Sequence, residues 1–217
     1  FQLALLGATL EKIAIEIRNL QRTEIAEVSE HFKKGQMGSS AVPTKRNPIK
    51  SERISSLSKL LRSQISTSFE NIPLWHERDL SNSANERFIL PMTSILLDEM
   101  LETMTKIIEN LQVDTKRVQE NLHITKGQIF AEFVLEALIK KGIPRIKAYR
   151  DVQRVAFAAH KKGINFMNAL ENDKAVSSIL SDKEIKSVFV AKNHLGASLS
   201  IIDNVERHVK VNSKKFS

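Results

Sequence analysis

Six apolar residues, Leu3, Leu6, Leu10, Ile13, Ile17 and Leu20, recur at alternating steps of three and four along the first twenty positions. That spacing builds one continuous stripe on a long helix, and such a stripe is stable only when packed against other long helices. The pattern returns as Ile54, Leu57, Leu61 and Ile65, ending before Pro73, and again as Leu97, Leu101, Met104, Ile108 and Leu111. Three long amphipathic stretches predict a helix bundle. Period-two alternation of any length is missing, so strand content is expected to be negligible.

After Asp114 the segments shorten, and Gly127, Gly142, Gly163 and Gly196 fall where helices would end. Pro144 suits the first turn of a helix running through Tyr149 to His160, and Ser181 with Glu184 has the spacing of a capping box. The sequence therefore predicts an all-α chain: residues 1–113 forming the later part of a long-helix bundle, with a loop at 35–52, and residues 114–217 a small helical C-terminal domain.

Several function classes are excluded or weakened by composition. At 41% hydrophobic and 27% charged residues, the chain has no run near the ~20 apolar positions a membrane span needs. It contains no cysteine, which removes disulfide and thiolate chemistry and suits a reducing cytoplasm. A net charge of +8 asks for an anionic partner. Lysine and arginine are spread along the chain without a nucleic-acid-binding motif, so a small polyanionic substrate is the better fit than DNA or RNA.

The segment GQMGSSAVPTKRNPIKSE, from Gly35 to Glu52, concentrates glycines, paired serines, cations and prolines between two long helices. Glycines let a backbone approach a ligand and turn N–H groups toward it, Ser39 and Ser40 are potential proton acceptors, and Lys45 and Asn47 can hold a carboxylate. A carbon acid beside a carboxylate loses a proton only where the resulting dianion is stabilised, which backbone donors and a lysine accomplish. Downstream, ENIPLWHERDLSNSANERFILP places Arg78, Ser83 and Arg87 just ahead of the third helix. Guanidinium and hydroxyl groups beside a helix start suit a phosphate.

GSSAVPTKRNP resembles the signature loop of the fumarase, aspartase and adenylosuccinate lyase superfamily, Gly-Ser-Ser-X-Met-Pro-X-Lys-X-Asn-Pro, with Val42 where the family has Met. LWHERD followed by SANER is similar to the adenylosuccinate lyase pattern, as are RNLQRTEIAEVSEHF and GQIFAEFVLEALIKKGIPRIKAYRDVQRVA. The resemblance implies roles for residues. Ser39 abstracts a proton, with Ser40 in reserve; Lys45 and Asn47 bind the fumarate-forming part; Glu52 pairs with a catalytic histidine; Arg53 is a weaker candidate for substrate contact. Arg78, Ser83 and Arg87 bind the nucleotide phosphate.

It further implies β-elimination of fumarate from adenylosuccinate and from SAICAR in purine biosynthesis, no cofactor or metal, and a homotetramer whose active sites are shared between subunits. Within the same superfamily, a carboxymuconate cycloisomerase is the alternative; outside it, a non-catalytic helical oligomerisation scaffold. His31, His76, His123, His160, His194 and His208 lie outside the family's general-acid motifs. The chain, which starts abruptly at Phe1, therefore reads as the later part of a longer polypeptide whose front supplies the catalytic histidines, and alone it is expected to be inactive.

Overall fold

The structure is a computed structural model that describes residues 1–32, 42, 44–76 and 78–213. The chain divides into two compact units, Phe1–Gln119 and Glu120–Ser217. Among the described residues the architecture is all-α, with a single two-stranded antiparallel bridge. No described helix is long and apolar enough to cross a membrane.

The first unit is built on α1 (Gln2–Leu20), α2 (Ile49–Glu70) and α3 (Ser83–Glu109). Contacts fix their directions. Arg18 reaches Ser55 while Glu11 pairs with Arg62, so α1 and α2 run antiparallel; Arg53 pairs with Glu99 while Asn71 and Asn85 exchange amide hydrogen bonds, so α2 and α3 do as well. Ala14, Ile17, Ile54, Leu61, Leu97, Met100, Met104 and Ile107 form the core.

The expected stripes are displaced around two of the helices. On α1 the buried residues are Ala4, Gly7, Ala14 and Ile17, whereas Leu3, Leu6 and Ile13 are exposed. The facing surface of α2 buries Ser51, Ser55 and Ser58 beside Ile54 and Leu61. Small residues on both sides let the helices approach closely, which fills space without large aliphatic side chains. On α3, Met100, Thr103 and Ile107 join Leu97 and Met104 in the interior, and Leu101 and Ile108 are exposed.

Pro91 also departs from expectation, because it lies inside α3 rather than ahead of it. Its ring removes one hydrogen bond, the one Arg87 would accept. The helix nonetheless starts at Ser83, after a turn in which Asp79 accepts from the Trp75 N–H and from the N–H and hydroxyl of Ser81, at 2.8, 2.8 and 2.6 Å. β1 (Val28–Ser29) pairs with β2 (Gln112–Val113), Val28 opposite Val113, so the chain leaving α1 is tied to the chain leaving α3.

α4 (Thr115–Leu122) leads into the second unit, where α5 (Ala131–Lys140), α6 (Arg145–Lys162), α7 (Phe166–Glu171), α8 (Lys174–Ser177) and α9 (Asp182–Val188) enclose a core around Phe130, Leu138, Val155, Phe166, Leu170 and Ile185. α10 (Ser198–Ser213) follows. Gly163 caps α6 in the left-handed region at φ 65°, Pro144 stands at the N-cap of the same helix, and Ser181 and Glu184 form the reciprocal capping box. Gly127 differs from expectation: at φ 90° it starts the 3₁₀ turn Gln128–Phe130, and a Cβ there would lie 2.8 Å from the Phe189 ring.

Candidate functional site

An open cleft of about 1280 Å³ lies in the first unit, between the C-terminal end of α1, the β1–β2 bridge, the segment 44–48 and the first turn of α2. Lys45, Asn47 and Glu52 all line it. So do Arg18, Arg22, Arg46 and Lys116, and among the described residues cations outnumber carboxylates five to three along its walls. In a concave site facing low-dielectric walls, such an excess concentrates anions.

Local hydrogen bonds set the positions of these groups. One Arg18 guanidinium nitrogen donates to the Ser55 hydroxyl at 3.1 Å, and that hydroxyl donates to the Ser51 carbonyl at 3.0 Å, so the cation is braced on α2. Arg46 lies over the Phe32 ring, 5.6 Å from its centroid. The Ile49 N–H donates to the Asn47 carbonyl and the Glu52 N–H to the Pro48 carbonyl, both at 2.9 Å, which turns the incoming chain directly into α2 and places Glu52 at its first turn.

Glu30 was not foreshadowed by sequence. It is buried, 8% exposed, and its carboxylate accepts from the N–H groups of Lys50 and Ser51 and from the Ser51 hydroxyl. Pro48 offers α2 no side-chain cap, so an acid eighteen positions upstream satisfies the helix start instead. An acid in this role carries no local spacing signal, because its partner is reached only through the fold.

The other candidates stand elsewhere. Ser39 and Ser40 lie outside the described residues. Arg53, one position after Glu52, does not line the cleft and pairs with Glu99 at 2.7 Å. The hydrogen bond from Arg53, followed by one from the Thr103 hydroxyl, lowers the Glu99 pKa below the usual carboxylate range. Ser83 and Arg87 occupy the first turns of α3, with Arg78 in the turn before it, at the end of the bundle where Asn71 meets Asn85. α2 separates the two sets: its 22 residues at ~1.5 Å each span about 30 Å.

A family model described as adenylosuccinate lyase C-terminus matches residues 127–205, and one described as lyase matches residues 1–60. Adenylosuccinate lyase of Pyrococcus abyssi is 41% identical over 210 residues, which covers 97% of this chain and 46% of that protein. The chain is an adenylosuccinate lyase homologue.

It spans about half the length of that relative. The crystal structure of a 3-carboxy-cis,cis-muconate lactonizing enzyme from Pseudomonas putida superposes with a TM-score of 0.81 at 27% identity, over 96% of this chain and 46% of that one. A fumarate lyase from Mesorhizobium sp. BNC1 shares the fold, with a TM-score of 0.80 at 24% identity over 94% and 44% of the two chains. For this homologue, then, the fold is that of the lyase superfamily, and its cleft gathers Lys45, Asn47 and Glu52 while Arg53, Arg78, Ser83 and Arg87 stand outside it.

Proposed function

We propose that this chain forms part of an adenylosuccinate lyase, which cleaves adenylosuccinate to AMP and fumarate, and SAICAR to AICAR and fumarate, by β-elimination in purine biosynthesis. The observation that carries the reading is the convergence of Lys45, Asn47 and Glu52 in one cationic cleft, in a chain 41% identical to an adenylosuccinate lyase.

The chemistry divides among the residues as follows. Ser39 removes the Cβ proton, with Ser40 as the reserve base. Lys45, Asn47 and neighbouring amides stabilise the aci-carboxylate that proton loss creates, where preorganised donors act without having to reorient. Glu52 orients a histidine, supplied from outside these 217 residues, and a histidine general acid protonates the leaving nitrogen. Arg78, Ser83 and Arg87 hold the phosphate through charge-assisted hydrogen bonds, and Arg53 contacts substrate once released from Glu99.

Two sets of residues about 30 Å apart cannot meet on one nucleotide within a single protomer. The proposal therefore includes a homotetramer in which the cleft of one subunit faces the α3 start of another. The exposed Leu3, Leu6 and Ile13 of α1 and Ile95, Leu101 and Ile108 of α3 supply apolar surface for that assembly. The likeness to the muconate lactonizing enzyme supports a second reading, a cycloisomerase acting on a carboxylate-only substrate. Arg78, Ser83 and Arg87 favour the first, because a muconate offers them no phosphate.

The test is fumarate release from adenylosuccinate by the product of the reading frame that contains this sequence, beside the 217 residues alone. Turnover by the former and none by the latter is expected. Release of fumarate by neither, with turnover of a carboxymuconate, transfers the assignment to the cycloisomerase.

A further inference from the structure

Two side chains, Gln21 and Glu30, join the described residues that follow α1 to those that lead into α2. The Glu30 carboxylate accepts from the Ser51 N–H at 2.7 Å, the Ser51 hydroxyl at 2.6 Å and the Lys50 N–H at 3.3 Å. Its own N–H donates to the Gln21 side-chain carbonyl at 2.9 Å, and the Gln21 amide nitrogen donates to the Arg46 carbonyl at 3.1 Å. Gln21 stands at the C-cap of α1, so the end of one helix, the start of the next and the strand between them share one hydrogen-bonded unit.

We propose that Gln21 and Glu30 form a clasp that fixes the returning segment 44–48 and so places Lys45 and Asn47 against the substrate. The inference deepens the proposed lyase function, and its kinetic part rests on that reading. The N-terminus of a helix is a ready anion site. At α2 this site is already filled by Glu30, buried and fully engaged. A substrate carboxylate is thereby directed to Lys45 and Asn47 on the adjoining segment rather than to the helix end. Glu30 touches no substrate in this scheme; it is a positioning residue, acting through the backbone that carries the two ligands.

Three variants test the clasp: Glu30→Ala, which removes both acceptors; Glu30→Gln, which retains one; and Gln21→Ala, which disconnects Arg46. Amide hydrogen exchange in Glu30→Ala is expected to accelerate at least about tenfold at Lys50 and Ser51 and across 44–48, with residues 54–65 unchanged. In fumarate-release kinetics, kcat is expected to fall by about 100-fold, the scale of loss from an ångström of misplacement. KM stays within about twofold, and Glu30→Gln recovers at least about tenfold of kcat. Gln21→Ala should accelerate exchange at 44–48 while sparing Lys50 and Ser51.

Unchanged exchange at Lys50, Ser51 and 44–48, or a uniform rise through α2, overturns the clasp, as does unaltered kcat in Glu30→Ala beside an active wild type. A wild type that releases no fumarate defeats the lyase reading instead, and the exchange pattern still decides whether the clasp exists.

Discussion

Gly7 of α1 stands so close to Leu61 of α2 that a Cβ at position 7 would collide with the leucine's Cδ2, in a core where Leu61 is 1% exposed. Glycine inside a helix ordinarily costs about 1 kcal/mol against alanine. Here the contact reverses the sign: Gly7→Ala is expected to destabilise the first unit by about 1 kcal/mol, since overpacking costs ~1–3 kcal/mol. In a Leu61→Ala background the same change should become stabilising. Urea unfolding of the four members of this double-mutant cycle measures the coupling, and a more stable Gly7→Ala in the wild-type background would refute the close approach.

That packing also explains why the helices were legible in the sequence but their inner faces were not. Alternating steps of three and four identify a helix without saying which flank turns inward, and large aliphatic residues are the natural choice. α1 instead packs through Ala4, Gly7 and Ala14 against a surface of α2 rich in serine, leaving Leu3, Leu6 and Ile13 exposed. Pro91 misled for a similar reason. A proline ordinarily bounds a helix, yet in 27-residue α3 one lost hydrogen bond is outweighed by the remaining ladder. At the candidate site, Lys45, Asn47 and Glu52 were legible as candidates because a contiguous motif carries them; Glu30 was not, because the N–H groups its carboxylate binds, at Lys50 and Ser51, lie twenty and twenty-one residues away.

Acid sensitivity of the second unit should trace partly to Glu184. Its hydrogen bond to Lys141, together with the Ser181 N–H and hydroxyl of the capping box, pulls its carboxyl from 4.5 to about 2. A carboxyl lowered in the folded state contributes stability that is complete above its unfolded pKa and is lost as pH falls through its folded one. Stability should therefore decline between about pH 4.5 and pH 2, and Glu184→Gln should flatten that part of the profile. Thermal unfolding scanned from pH 6 downward checks it; parallel profiles for the two proteins would contradict the assignment.

Arg53 offers a separation of stability from function. Its ion pair with Glu99 is largely exposed on both sides, at 55% and 41%, and solvent and salt screen such pairs so that they add little to stability. Arg53→Ala should accordingly leave unfolding by urea nearly unchanged. If the proposed substrate contact is real, fumarate release will drop by far more than that change explains, and Glu99→Ala, which frees the guanidinium, will leave turnover intact. Equal, small effects of both substitutions would remove Arg53 from the site.

The separation between the two ends of α2 leads to a complementation experiment. Ser39→Ala should depress kcat with little effect on substrate binding, and Arg87→Ala should chiefly weaken binding of the phosphorylated substrate. Each impairs a different portion of the proposed site. If every site draws its serine loop from one subunit and its α3 start from another, unfolding and refolding the two variants together yields some sites that carry neither substitution. At low substrate concentration, activity in the mixture should then exceed that of either parent. Were both residues to serve the same site from the same chain, every site would carry one defect or the other and mixing would restore nothing. The roughly 30 Å length of α2 makes the first outcome the expected one, because a nucleotide bound as proposed, by Lys45 and Arg87 together, is far shorter than the helix between them.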